Sequence, residues 1–247
     1  GANVIGLAAG GSASNLVTLN ATGLDGKLVA SFGDNVLDTS LTITGGNMAT
    51  DTIYAQFDDA TVTPKMSAVE KLYIQNEDTS VITMSGITGL KTVYIDDDGT
   101  ASDLTLTDLG SGVNVELVSG AAVSLDIDLE LKTALDNVLN LELNTTAGTS
   151  DIDITDVETL NLNVQEAAAV NFDGLSMTTT SAVSSVVITG DSALTLTDLH
   201  ADVTTIDASG MTTGGSVTMN ARGKVQYKIF YLERVGRKHI PLQGKVQ

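Results

Sequence analysis

The chain spells the same short phrases twice, and nothing constrains its fold more. "LTLTDL" occurs at Leu104–Leu109 and again at Leu194–Leu199, 90 residues apart. In the same order, "VEKL" (Val69–Leu72) answers to "VETL" (Val157–Leu160), "MSGI" (Met84–Ile87) to "FDGL" (Phe172–Leu175) and "TVYI" (Thr92–Ile95) to "SVVI" (Ser185–Ile188), at offsets of 88, 88 and 93 residues. Four matches in one order define a duplicated unit, about 69–116 and 157–207, with small insertions accounting for the drift in offset. Long-range repetition marks architectures in which each unit contacts only its neighbours, so a unit can be copied without redesigning a closed core.

A finer rhythm runs inside the units. Short alternating runs are centred near Tyr73, Thr83, Tyr94, Thr105, Val115 and Ile127, and again from Ile152 to Thr218, with Gly, Asp, Asn or Ser between them. Evenly spaced short strands fit a sandwich, a barrel or a solenoid. Tight-hairpin dipeptides are scarce, with Asp25-Gly26, Asp98-Gly99 and Asp173-Gly174 the clear cases. Together with the duplication, this favours an all-β parallel β-solenoid over residues 16–221. In such a coil alternate residues point inward. Leu104 and Leu106 are then inside, with Thr105 and Thr107 outside or in Thr ladders; Leu160, Leu162 and Val164 are inside, with Asn161 and Asn163 outside. "LVTLNATGLDGKLVASF" (Leu16–Phe32) and "VTTIDASGMTTGGSVTMN" (Val203–Asn220) read as two such coils, strand–turn–strand. Leu19 and Ile206 are expected inside, and Gly23 and Gly210 at corners where a side chain would crowd the bend. One stretch departs from the pattern: Leu129–Leu143 has helix-like spacing (Leu131, Leu135, Val138, Leu139) and predicts a short helical insertion.

Composition agrees. Hydrophobic residues make up 42% of the chain but aromatics only 4%, so the apolar content is branched aliphatic and Ala, which favours strands. A mean hydropathy of +0.17 is too high for a disordered chain. The formal charge of −19 is unevenly placed. From Arg222 onward seven bases stand against one acid, leaving five bases and thirty acids, a net −25, in residues 1–221. Nucleic-acid binding by that body is excluded by charge, because it depends on Lys and Arg neutralising phosphates. Residues 1–15 read as a flexible start. Residues 222–247 read as a cloning or expression remnant outside the fold, the alternative being a basic arm that docks on an acidic partner. The absence of Cys excludes disulfides and thiolate metal sites. No apolar run approaches the length of a transmembrane span, and no basic, apolar leader opens the sequence.

With its repeats, charge and lack of Cys, the chain resembles the repetitive β-rich region of bacterial surface-layer proteins of the Caulobacter and Campylobacter fetus type. The residues that carry the likeness are "VETLNL" (Val157–Leu162) and "TTIDASG" (Thr204–Gly210), with "VTLNATG" (Val17–Gly23) as a looser copy. The resemblance implies a secreted, extracellular protein of the cell surface that assembles with copies of itself into a calcium-dependent lattice on lipopolysaccharide. The calcium nonapeptides of that type, G-G-x-G-x-D-x-U-x, are absent, so calcium ligands cannot be carried over residue by residue.

Read from the residues alone, the candidate metal ligands are two acidic turns, Asp96, Asp97 and Asp98 in "DDDGT" and Asp58 and Asp59 in "FDDAT". Ca²⁺ takes six to eight oxygens, and carboxylates on a flexible turn can supply several of them. The competing reading is a solvated acidic turn. Catalysis finds no foothold: His200 is the single His before the basic segment, and no nucleotide-binding glycine motif is present. The expected function is a non-enzymatic lattice component. The alternatives are an adhesin or passenger-type binding module and a carbohydrate-active β-helix enzyme.

Overall fold

The structure, a computed structural model, describes residues 2–7, 16–97, 103–118, 126–132, 136–144, 151–165, 170–172, 184–197, 203–212, 214–220 and 229–230. It is an all-β, parallel β-solenoid. One sheet of eleven strands runs the length of the molecule. Its strands are Ala2–Leu7, Lys27–Phe32, Thr52–Phe57, Lys71–Asn76, Thr92–Asp97, Asn114–Leu117, Val138–Leu143, Thr159–Val164, Ser185–Gly190, Thr205–Met211 and Ile229–Phe230. Each pairs in parallel with the one a coil away. The return path is built from three shorter sheets. Four strands from Thr18–Asn20 to Ile87–Thr88 form one, five from Thr61–Val62 to Asp151–Thr155 another, and Val170–Phe172, Ala193–Thr197 and Ser216–Asn220 the third. The chain regains the long sheet after as few as 19 residues (Thr52 to Lys71) or as many as 26 (Asn114 to Asn140).

Alternation explains why these segments are strands. Lys71–Asn76 and Thr159–Val164 bury every second residue, which is the period of a pleated ribbon with one face on a core. Register then stacks like on like. Ile53, Leu72, Val93, Val115, Leu141, Leu162 and Ile188 form one inward column of the long sheet, all essentially inaccessible. On the opposite wall Ile82, Leu106, Leu129 and Ile154 form another. The sequence expectations for Leu104, Leu106, Leu160, Leu162, Val164 and Ile206 hold, and all are buried. Outward, Thr107 Oγ1 donates to Thr83 Oγ1 at 3.1 Å and Asn161 Nδ2 to Asn140 Oδ1 at 2.7 Å, the start of polar ladders.

None of the described residues in 129–143 is helical, and Leu135 lies outside the described residues. Strands Asp126–Leu131 and Val138–Leu143 occupy the stretch, and Leu129, Leu131, Leu139, Leu141 and Leu143 are all buried. The apparent helical spacing arose because Leu131 and Val138–Leu139 belong to different strands, and counting from one strand to the next mimics steps of three and four. The one short helical turn among the described residues is 3₁₀, Met84–Gly86.

The corners entering the long sheet are fixed by a repeated clasp. Asp51 O accepts from Glu70 N (3.3 Å) and Lys71 N (3.0 Å), Glu70 O from Lys91 N and Thr92 N, and Glu158 O from Ser184 N and Ser185 N. Glu70 also returns a bond: its Oε2 accepts from Asp51 N at 2.9 Å. Glu158 Oε2 does the same for Asn137 N at 2.7 Å. Asp51 itself is fully buried, yet Leu28 N (2.8 Å) and Gly46 N (2.5 Å) donate to its carboxylate. Donors of this kind are what allow a charge to sit inside. The glutamates of "VEKL" and "VETL" are thus structural brackets.

The "DASG" and "NATG" phrases are a second recurrent device. Asp207 Oδ1 accepts from Ser209 N (2.9 Å), and Asn20 Oδ1 from Thr22 N (3.0 Å) and Thr22 Oγ1 (2.9 Å). These are Asx turns, with Ala208 and Ala21 tucked inward. At Asp207 the turn coincides with a bulge: Val187 pairs with Asp207, but Thr189 pairs with Gly210. A Cβ on Gly210 would come within 2.7 Å of Thr189 Cγ2, whereas one on Gly23 would meet nothing within 4 Å. The crowding expected at both glycines therefore holds at Gly210 and fails at Gly23, whose turn faces open space. Leu19 likewise is only half-buried against the core, unlike Ile206.

Leu106→Asp places an unpaired charge between Ile82 and Leu129 and should cost more than about 4 kcal/mol. Thr107→Ser, on the outward side of the same strand, should change stability by less than about 1 kcal/mol. Urea denaturation of the pair checks both values. Glu70→Ala strands the buried Asp51 N–H and should cost about 1–3 kcal/mol, while Glu70→Gln keeps an acceptor there and should retain most of that stability.

Candidate functional site

The acidic turns fall along one edge of the long sheet. Phe57, Asn76 and Asp97 are register partners in successive strands, so Asp58 and Glu77 both follow the end of their strands there. Asp58 and Asp59 are exposed. The turn is held by Asn35, whose Nδ2 donates to Asp58 O at 2.7 Å while its Oδ1 accepts from Asp58 N at 3.1 Å. Asp59 takes φ of 48°, a left-handed conformation that short polar residues tolerate. Asp96 is exposed at the register position of Gln75; Asp97 is described by its backbone alone, and Asp98 lies outside the described residues, as does His200. Among the described residues no three Asp, Glu or His side chains gather into a group that could hold a metal ion. The structure brings Asp58, Asp59, Asp96 and the backbone of Asp97 to one edge of the long sheet, and among the described residues they assemble no coordination sphere.

What it does assemble lies on the outward side of the long sheet, and the reason is register. Tyr54, Tyr73 and Tyr94 occupy the same position in three successive strands, so their rings stack. The centroids are 4.5 and 4.0 Å apart, with interplanar angles of 19° and 5°. Lys71 leans over the end of this stack, its Nζ donating to Tyr94 Oη at 3.2 Å and lying 5.5 Å from the ring centroid. The same column continues through Glu116, Glu142, Asn163 and Thr189. The parallel column beside it carries Asn114, Asn140 and Asn161. Where Asn163 and Thr189 take the place of Tyr, the surface drops into a depression of about 250 Å³ lined by Asn114, Asn140, Glu142, Asn161, Asn163 and Thr189.

Two carboxylates sit face to face in this column. Glu116 and Glu142 are direct partners on adjacent strands, a like-charge arrangement that destabilises a sheet. Asn144 Nδ2 donates to Glu116 Oε1 at 3.1 Å. Burial, and then the charge of Glu116, push the Glu142 carboxyl above its ordinary range; a hydrogen bond from Asn163 opposes that. A group whose charged form is disfavoured by folding costs stability once the pH is high enough to ionise it. Tyr73 is pushed up to about 12, first by burial between its neighbours, then by Tyr94, Tyr54 and Glu116. The sequence reading placed Asn161 and Asn163 outside but missed the face they belong to, because it weighed acids in turns and did not align outward residues from coil to coil. The usable signal was the recurrence of Tyr in "TIYA", "KLYI" and "TVYI" at intervals of one coil.

Fold and face together define a repeat-built parallel β-solenoid with an aromatic and amide-lined outer surface. The chain matches no protein-family model, no curated protein and no solved structure. Among the described residues no helix is long and apolar enough to cross a membrane.

Tyr73 ionises later in the fold than in the unfolded chain, so stability should be intact below about pH 10 and fall between about pH 10 and 12. An absorbance titration of tyrosinate should contain a step near pH 12 that Tyr73→Phe lacks. The alkaline fall in melting temperature should be smaller in that variant.

Proposed function

We propose that the chain is a structural segment of a secreted bacterial surface layer, a stiff acidic rod that associates side by side with copies of itself. One observation carries the reading: a single sheet of eleven strands runs through the coils and turns a half-exposed ladder of Tyr, Glu, Asn and Thr outward. A surface of that kind presents the same chemistry at each strand spacing of about 4.8 Å, which suits a contact repeated along a rod. The body's net −25 opposes close approach of copies, and calcium is the cofactor proposed to relieve that repulsion by screening and bridging carboxylates. In this reading the chain is not an enzyme, its place is the cell surface, and lipopolysaccharide is a partner reached through other parts of the assembly.

A second reading, a binding module whose lateral face recognises a glycan, is favoured by the depression beside the tyrosine stack, where amides and a carboxylate line a concave surface. Electron microscopy of the protein with and without millimolar calcium separates the two. Ordered two-dimensional arrays that dissolve in chelator are the expected result. Monodisperse rods at every calcium concentration would overturn the surface-layer reading, and retention of those rods on a glycan array would favour the second.

A further inference from the structure

The outward column of the long sheet has a polarity that neither composition nor turn chemistry requires. Between Ser31 and Gly210 it reads, in order along the rod, Tyr54, Tyr73, Tyr94, Glu116, Glu142, Asn163, Thr189, and Glu116 is the middle of these seven. The first half is a ridge of stacked rings and the second half is the depression. The charges are divided in the same way. Lys71 stands at the ridge, with Asp96 further along the Tyr94 strand, and Glu142 lies in the depression.

We propose that this face is a self-complementary contact between two copies of the chain, the tyrosine ridge of each seated in the amide-lined depression of the other. The proposal rests on the self-association reading above and names the surface that would serve it. A two-fold axis parallel to the strands and passing through Glu116 keeps each column facing itself and reverses its order. Tyr94 and the Lys71 ammonium then meet Glu142 of the second copy, Tyr73 meets Asn163, and Tyr54 meets Thr189. Contacts of this kind are isologous and close on themselves. Tyr hydroxyls find carboxylate and amide acceptors, and the ring edges fill the space left by short side chains. The Lys71–Glu142 pairing supplies charge complementarity between bodies that otherwise repel.

The dimensions are sufficient for a weak specific contact. Seven strands at about 4.8 Å, each about 20 Å long, present about 600 Å² per copy, at the lower end of specific interfaces. Weak pair contacts are also what a reversible array needs, because many of them act together. Glu116 lies on the axis, where the carboxylates of the two copies approach each other. It opposes the contact, and Glu116→Gln should tighten it.

The absence of Cys makes the geometry directly testable in the full chain. In the neighbouring column Thr92 and Asn140 lie on either side of Asn114, so the axis brings Thr92 of one copy over Asn140 of the other. Under mild oxidation a mixture of Thr92→Cys and Asn140→Cys chains should give a disulfide-linked pair, several-fold more than either variant alone. By sedimentation equilibrium, Lys71→Glu and Glu142→Lys should each weaken association about tenfold or more. The double exchange should restore it, with melting curves confirming that each variant is folded. Arrays that form normally with no mixed cross-link and no effect of the charge exchanges would overturn this contact and leave the surface-layer reading intact. The absence of any association would overturn both.

Discussion

Parallel register in the long sheet is the constraint from which the rest of the structure follows. Once Ile53, Leu72, Val93, Val115, Leu141, Leu162 and Ile188 are stacked in the interior, the residues one step further along each strand must stack outside. A slip of one residue would turn the whole inward set to solvent. The core therefore fixes the outer ladder as firmly as itself, and at no extra cost in ordering. Tyr54, Tyr73 and Tyr94 meet ring to ring because Leu72 and Val93 meet inside. A stack of identical side chains is the default result of such a register, and its chemistry depends only on which residues occupy the column.

The same register concentrates demands at the corners, where the chain must leave one wall and enter the next. Backbone groups there have no ladder partner of their own and need one supplied. The clasp at Asp51 and Glu70, and its counterpart at Asn137 and Glu158, meets that need with side chains of different character. Asp51 accepts from Leu28 N and Gly46 N. Asn137, with an amide instead of a second carboxylate oxygen, donates from Nδ2 to Lys132 O and Asp156 O at 2.8 Å each. Both leave their own N–H to a glutamate one coil away. The invariant of the device is the glutamate bracket, and the partner is free to donate or accept as the local backbone requires. Several of the acids in this very acidic chain are thus spent on internal hydrogen bonds. Asp38 is another, its carboxyl held below the usual range chiefly by the Ser40 hydroxyl (2.6 Å), with further help from backbone N–H groups.

The parts of the fold legible in the sequence are those governed by a strict period. Alternation identified the strands and the inward residues of "LTLTDL" and "VETLNL", since a period of two survives any corner geometry. The helix expected at Leu129–Leu143 failed for the complementary reason. Leu131 and Val138–Leu139 belong to different strands, and a period read across a corner has no physical meaning. Gly23 and Gly210 looked equivalent because their phrases match, yet only Gly210 lies in the paired ladder, beside Thr189, where a side chain has no room. The tyrosine face was hidden for another reason. Its residues are 19 and 21 positions apart, so coil length, which varies from turn to turn, had to be known before they could be seen as neighbours. Sequence reading grouped Asp96, Asp97 and Asp98 because they are adjacent in the chain, whereas in a solenoid the relevant neighbours are one coil away.

That distinction separates what folding needs from what the outer face does. An inward position takes mostly apolar residues, branched aliphatics with Ala30, Phe32, Phe57 and Met66 among them, but an outward one accepts any residue that can stand beside its copy in the next strand. Folding alone would be better served by an opposite-charge or amide pair than by Glu116 opposite Glu142, and the neighbouring Asn140–Asn161 ladder shows that such a pairing is available on the same two-column surface. The like-charge pair therefore marks a position where the column is not optimised for the isolated rod. A carboxylate held above its ordinary range beside a concave, amide-lined surface gains most when a cationic or hydroxyl-bearing group arrives to share it. On the same face the tyrosine hydroxyls and Lys71 stand two or more strands from Glu142, with Glu116 between them.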